Sequence, residues 1–313
     1  MNNIKQFTIY SCIVFIATGL LLTSLANTHA QVILPDWDTV KIKTHNLGHG
    51  IYMLEGFGGN IGVSAGEDGV ILVDDQYAPL TEKILAALDV ISKKPVTYVI
   101  NTHWHDDHTG GNENLGKSGA VIVAHEKTRS YLLDIHAERL KQSQTTPKNI
   151  GIPVLTFNDV LTFHFNGQTI HAFHVEPAHT DGDIIIQFVE ANVIHTGDTY
   201  FNGFYPYIDV DHGGSIDGMI DVYDKLIAIS DPETRIIPGH GDIADRNDMR
   251  EYQTMLKTVR SIVANAIIAG NPIDEFIATE PLKALDPIYG NNLIKAPDLL
   301  RMLYKDLLKN GNL

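Results

Sequence analysis

Asn101-Thr102-His103-Trp104-His105-Asp106-Asp107-His108 follows directly on Tyr98-Val99-Ile100, a short apolar run with the character of a buried strand. The octet therefore sits in the loop that leaves a strand end. His103 and His105 are two residues apart, so in an extended exit their side chains project to the same side. Asp107 and His108 come next, and Gly110-Gly111 lets the loop turn tightly. Three imidazoles and a carboxylate within six residues can supply ligands to two adjacent cations, and both donor types suit zinc. The plainer alternative is a solvated histidine-rich loop, but H-x-H-x-D-H is too specific a spacing to expect by chance in one chain.

On the N-terminal side of the octet the chain reads as short strands cut by glycine turns: Val40–Leu47, Ile51–Glu55, Ile61–Ala65 and Val70–Asp74. Leu80, Ile84, Leu85, Leu88 and Ile91 then recur at helical spacing between Pro79 and Ser92. Beyond the octet come a strand over Ala120–Ala124, a polar helix from Glu126 to Gln142 and an irregular loop from Gln142 to Pro153. Val160–Phe165 and Thr169–Val175 form a hairpin around Asn166-Gly167, a strong turn signal. Strands over Ile184–Val189 and Val193–His195, a helix over Ser215–Ile229, a strand over Arg235–Ile237 and a long helix over Asp245–Ala269 follow, with a last helix over Asp298–Leu308. Strands followed by helix thus occur twice. The order predicts an α/β fold of two mixed sheets face to face with helices outside, a four-layer αββα sandwich.

With these residues in view, the chain resembles the metallo-β-lactamase superfamily of metallohydrolases. That family carries T-H-x-H-x-D-H, then a distant His, a distant Asp or Cys, and a final His. Here these are His179 in Pro177-Ala178-His179-Thr180-Asp181-Gly182-Asp183, Asp198 in His195-Thr196-Gly197-Asp198, and His240 in Pro238-Gly239-His240-Gly241. The resemblance implies that His103, His105 and His179 hold a first zinc ion, that Asp107, His108 and His240 hold a second, and that Asp198 bridges both. It implies hydrolysis by a hydroxide shared between the two cations, with Asp107 as the catalytic residue that orients it. Iron and manganese accept the same donors.

One departure narrows the branch. The cysteine-ligand β-lactamases have Cys where this chain has Asp198 and a non-ligand where it has His108. The pattern is closer to the glyoxalase II, lactonase and general hydrolase branches. The sequence reading takes a β-lactam amide as the leading named substrate, with a lactone or thioester as the alternative. A non-catalytic periplasmic metal-binding protein is the reading from another class; seven ligands across two metals leave open positions, which favours an enzyme.

Composition agrees with these expectations. The 313 residues include 15 histidines and one cysteine, so no disulfide framework or thiolate zinc site can form. With 23 basic and 38 acidic residues the formal charge is -15, which disfavours nucleic acid and anionic lipid as partners. The expected partner is a small-molecule substrate. Residues 1–30 read as a signal peptide: Lys5, an apolar stretch over Ile9–Leu25, then Thr28-His29-Ala30 as a small-residue exit. Cleavage before Gln31 would leave residues 31–313 as a single hydrolase domain, periplasmic or secreted, without stable membrane association. The mature chain would lose its one cysteine, Cys12. Asp183 and Thr180 are expected to buttress the ligands. His164, His171, His174 and His195 are expected to be structural or to support them. His45, His49, His125, His136 and His212 read as surface or structural. Trp104, Phe57 and the stretch Tyr200–Tyr207 are candidates for the pocket mouth.

Overall fold

Parallel strands need a crossover, and the positions of the amphipathic helices decide which strands are parallel. In the computed structural model, which describes residues 34–143 and 151–311, the first half of the chain supplies one sheet. It runs β1 (Lys43–Gly48), β2 (Ile51–Glu55), β3 (Ile61–Gly66) and β4 (Gly69–Val73), then α1 (Thr81–Ile91) and β5 (Val96–Asn101). Two short helices, α2 (Asp106–Thr109) and α3 (Asn112–Lys117), lead to β6 (Val121–His125), and α4 (Glu126–Ser143) leads to β7 (Leu155–Phe157). β1 to β4 form an antiparallel meander, and β4 to β7 are parallel, one crossover per step.

The second half repeats the plan with β8 (Val160–Phe165), β9 (Gln168–His174), β10 (Ile184–Phe188), β11 (Val193–His195), α5 (Ile216–Ile229) and β12 (Arg235–Ile237). The sheet order is β12-β11-β10-β9-β8, and only the β11–β12 step, which α5 bridges, is parallel. Four helices close the chain: α6 (Arg246–Ile268), α7 (Ile273–Ala278), α8 (Asp286–Tyr289) and α9 (Ala296–Asn310). α6 begins on a capping box in which Asp245 accepts from the Asn247 and Asp248 N–H groups and Asp248 accepts from the Asp245 N–H.

Three apolar clusters define the four layers. Met53, Ile71, Val73, Ile100 and Val123 of the first sheet meet Ile170, Ile184, Ile186 and Ile237 of the second, forming the core between the sheets. Leu80, Ile84, Leu88 and Leu115 cover the outer face of the first sheet. Met219, Tyr223, Leu256, Val259 and Leu303 from α5, α6 and α9 cover the second. All five residues of β4 are buried, as its unbroken apolar run requires of a strand covered on both faces. The expected αββα sandwich is therefore the observed fold. The ends of β4, β5, β11 and β12 converge at one edge of the sandwich, where crossover connections leave room for a site.

Local differences from the sequence reading have plain causes. β1 starts at Lys43 rather than Val40, because Trp37–Thr39 forms a single 3-10 turn capped by Asp36. β7 lies just past the expected loop; it is three residues long at the sheet edge and carries no alternation. α3, α7 and α8 have four to six residues, too few to show a period. The expected leader over residues 1–30 and most of the expected loop over 142–153 lie outside the described residues. Among the described residues, no helix is long and apolar enough to cross a membrane.

Candidate metal centre

The octet is fixed from beneath by β4. That strand is followed by Asp74, which adopts a left-handed backbone conformation (φ 66°) and turns its carboxylate toward the β5 exit. Asp74 Oδ1 accepts from the Thr102 N–H at 2.7 Å, and Oδ2 accepts from the Thr102 hydroxyl and from His108 Nδ1, both at 2.7 Å. Asn101 and Asn112 exchange side-chain hydrogen bonds across the base of the loop at 3.1 and 2.8 Å. The neighbouring Asp75 and Gln76 bind it further: Gly111 N–H donates to Asp75 Oδ1, and Gln76 Nε2 donates to the Gly59 carbonyl.

These contacts select the histidine tautomers. The Thr102 hydroxyl donates to Asp74, so its oxygen accepts from His103 Nδ1 (3.0 Å) and His103 Nε2 is left bare. His105 donates from Nε2 to Asp209 Oδ2 (3.0 Å), leaving Nδ1 bare. His179 donates from Nδ1 to the Tyr207 carbonyl (2.8 Å), leaving Nε2 bare. The bare nitrogens face one another: His105 Nδ1 is 3.1 Å from His103 Nε2 and 2.9 Å from His179 Nε2. Three converging lone pairs with no proton between them repel unless a cation sits among them. This donor set therefore fits a metal ion, each ligand held by an outward partner of the kind metal-bound imidazole needs.

A second group adjoins it. Asp107, His108 and His240 bring one donor atom each within ligating reach of the others, and Asp198 groups with His103, His105 and His179. The Asp198 carboxylate spans both groups. Oδ1 is 3.0 Å from His108 Nε2, and Oδ2 is 3.3 Å from His240, 3.6 Å from His179 and 3.9 Å from His103. Asp107 Oδ2 stands 3.3 Å from His240 Nε2 and 3.5 Å from His108 Nε2. Buried as they are, His108 Nε2 and Asp198 Oδ1 complete no hydrogen bond, a costly state for inward-facing polar atoms and a further mark of a cation site. Two glycines admit this crowding. A Cβ at Gly59 would meet the His108 ring at 2.1 Å, and one at Gly239 would meet Asp198 Oδ1 at the same distance.

The two groups differ in charge. Burial holds His103 well below the ordinary imidazole range and His179 at about 4, so both are neutral. Burial opposes charge at His108 and His240 too, but there the carboxylates win. Asp198, Asp107 and Asp74 hold His108 well above its usual range, and Asp198 and Asp107 bring His240 to about 9. In return, and against burial, His108 and His240 hold Asp107 at about 2, and the same two imidazoles keep Asp198 well below its usual range.

All seven sequence-named residues meet at this edge, in the two groups expected of them. Asp183 buttresses the site through backbone: Oδ2 accepts from the His179 N–H (2.7 Å) and the Thr180 N–H (2.9 Å). His195 is buried and structural, with Nε2 donating to the Asn60 carbonyl and Nδ1 accepting from the Gly197 N–H. His171 pairs with Thr162 and His174 with the Asp183 carbonyl. The Tyr200–Tyr207 stretch divides: Phe201 stacks on His240 at 5.3 Å, Tyr207 packs against His105 and His179, and Tyr200 and Tyr205 are buried in the core.

Sequence reasoning missed Asp74, Asp209 and the place of His212. Asp209 Oδ2 accepts from His105 and from His212 Nδ1 (2.8 Å), and His212 packs on Trp104 and Tyr131 at the mouth. The available signal for Asp74 was an aspartate pair capping an unbroken apolar strand. For Asp209 and His212 it was an acidic residue three positions before a histidine, downstream of the aromatic stretch.

Paired groups of histidine and carboxylate at the mouths of two facing mixed sheets define a metallohydrolase-type centre. The chain belongs to the metallo-β-lactamase superfamily, whose family model matches residues 54–240. It is 28% identical over 172 residues to a hydroxyacylglutathione hydrolase from Polaromonas sp., covering 54% of this chain and 56% of that protein. It is 23% identical over 205 residues to a metallo-β-lactamase type 2 from Bacillus cereus, covering 60% of this chain and 69% of that protein. The chain spans under three-fifths of the length of the hydroxyacylglutathione hydrolases from Polaromonas sp. and Nitrosococcus oceani, 56% and 59%. Among solved structures, a metallo-β-lactamase from Pontibacter korlensis superposes with a TM-score of 0.56 at 18% identity over 69% of this chain and 99% of that one, a likeness of fold.

Proposed function

We propose that this protein is an exported, zinc-dependent hydrolase of carboxylic acid derivatives. The observation that carries the reading is the set of bare imidazole nitrogens, each fixed by an outward hydrogen bond and converging beside a shared carboxylate. His103, His105 and His179 would hold one cation, Asp107, His108 and His240 a second, and Asp198 would serve both. Loaded, such a centre supplies Lewis acidity toward a carbonyl oxygen and lowers the pKa of water to near neutrality.

The chain's own residues do the rest. Asp107 is ionised at neutral pH and accepts a hydrogen bond from the attacking water, then carries its proton toward the leaving atom. Asp209 and Asp74 keep His105 and His108 in the tautomers that face the centre. A β-lactam amide is the first substrate to test, supported by the likeness to the Bacillus cereus protein. A second reading, hydrolysis of a lactone or thioester, is favoured by the carboxylate Asp198 between the groups and by the hydroxyacylglutathione hydrolase relatives. Export rests on the leader sequence, and N-terminal sequencing of the mature protein should begin at Gln31. Assays on β-lactams, lactones and glutathione thioesters, before and after chelation and zinc return, test the whole reading. Activity on one class that is lost on chelation and restored by zinc supports it. A zinc-loaded protein inert to all three classes contradicts it.

A further inference from the structure

Outside the seven metal donors, the loop that follows Asp198 meets the first turns of α6 and the end of α8 around a cavity of about 110 Å³. That is room for roughly three to four water molecules at their liquid volume. Tyr200 from the loop, Tyr252 from α6 and Tyr289 from α8 line it, with Asn202, Asp248 and Glu251 on its more exposed side. The Tyr200 and Tyr252 rings lie 4.9 Å apart at 61°, and those of Tyr252 and Tyr289 lie 6.1 Å apart at 69°. Rings set at such steep angles stand as separate walls and not as one stack. Among the described residues, no basic side chain lines the cavity.

The lining is negative and has one unanswered donor. Burial and the charge of Asp248 raise the pKa of the Tyr200 hydroxyl, and burial and Glu251 raise that of Tyr289, so both carboxylates are felt at the rings. The Tyr200 hydroxyl donates to Asn202 Oδ1 and the neighbouring Tyr223 hydroxyl to the Thr199 carbonyl, both at 3.1 Å. Tyr252 differs. Its side chain is buried, and its hydroxyl completes no hydrogen bond. The Phe201 N–H faces that hydroxyl but is itself a donor, so the hydroxyl proton has no acceptor, a costly state for a buried group.

These features specify a ligand. Ring faces beside carboxylates, with no basic side chain, call for a cation. A bare calcium ion takes about six or more oxygens, whereas Asp248 already spends Oδ2 on the Asp245 N–H at the α6 cap. An alkylated ammonium fills the space and needs no such shell. The Tyr252 proton calls for an acceptor oxygen on the same molecule. We propose that this cavity binds a small quaternary ammonium alcohol of the choline type, with the trimethylammonium group among Tyr200, Tyr252 and Tyr289 beside Glu251, and the oxygen accepting from the Tyr252 hydroxyl.

Calorimetric titration of the zinc-loaded full-length protein with choline should show saturable binding. Two isosteres separate the contributions. Neohexyl alcohol keeps the shape and the hydroxyl without the charge, and should bind about tenfold more weakly or worse. Propyltrimethylammonium keeps the charge without the oxygen, and should bind about fivefold more weakly. In Tyr252→Phe, choline and propyltrimethylammonium should bind alike. Tyr289→Leu should weaken choline about tenfold, and Tyr252→Phe and Glu251→Gln keep the site testable if that variant fails to fold. Sedimentation with phosphatidylcholine vesicles separates the sources: association that choline displaces assigns the cavity to a lipid headgroup, and its absence assigns the cavity to a free solute. No saturable choline binding, equal affinity for choline and neohexyl alcohol, or choline affinity unchanged in Tyr252→Phe and Glu251→Gln overturns the site.

Discussion

The two ligand groups sit side by side, share Asp198 and are built from the same residue types, yet their imidazoles differ in protonation. In the first, His103 and His179 are neutral because burial dominates and their outward partners are a hydroxyl and a carbonyl. In the second, His108 and His240 hold protons because Asp107, Asp198 and Asp74 surround them. The difference teaches that donor identity alone does not make a ready cation site. The first group can accept a cation as it stands, whereas the second must exchange protons for one.

The largest expected effect comes from removing what the groups share. Asp198→Ala should cost both cations and reduce hydrolysis to background, whereas His240→Ala should cost only the second cation. Elemental analysis of the two purified variants checks this, and equal cation content in both would break the distinction. Asp107→Asn should lower kcat by about 10²–10⁴, the range of a lost general base, while the first group stays loaded. Steady-state kinetics on the zinc-loaded variant decide it, and an unchanged kcat would remove Asp107 from the chemistry.

The charge difference gives the next effect in size. With His179 at about 4 and His103 held low by burial, neither of these two imidazoles should make uptake by the first group pH-dependent above about pH 5. With His240 at about 9 and His108 held well above its usual range, uptake by the second should strengthen about a hundredfold per pH unit around neutrality, with two protons released, one from each imidazole. Calorimetry of chelator-treated protein in buffers of different ionisation enthalpy measures that release; none at neutral pH would contradict the assignment. Asp209→Ala and Asp74→Ala should each weaken cation binding about ten- to a hundredfold, the first variant acting on the His105 group and the second on His108. Competition against a zinc-binding dye reads this, and loss at both groups from either variant would blur the two.

The smallest effect is a control away from both groups. Asp306 on α9 accepts from the Ile216 N–H at the start of α5, and burial raises its pKa. A carboxyl whose folded pKa is raised contributes stability that is present below its unfolded pKa and lost as pH rises through the folded value. Asp306→Asn should therefore flatten thermal stability across the acid range and leave cation content at two. An altered cation content in this variant would show that the centre is not independent of the C-terminal helices.

Much of this was legible because the decisive residues are close in sequence or stand at strand ends. The octet gives four donors in six positions, and His179, Asp198 and His240 each follow a short apolar run, so the fold and the convergence of donors could be read together. The supporting layer was not legible. Asp74 and Asp209 act across 34 and 104 residues, on His108 and His105, and the short signals they carry do not say which histidine they reach. His212 was set aside for want of a motif, although its ring completes the Trp104–Tyr131 face. The Trp37–Thr39 turn ahead of β1 carries no local signal of its own, and it is held by three carbonyl contacts from Lys83.

The most direct test of the central claim is anomalous diffraction at the zinc edge from crystals of the zinc-loaded protein. Two peaks are expected in one cleft, one enclosed by His103, His105 and His179, the other by Asp107, His108 and His240, with Asp198 touching both. No anomalous peak among these residues, or a single one that leaves either group empty, would contradict it.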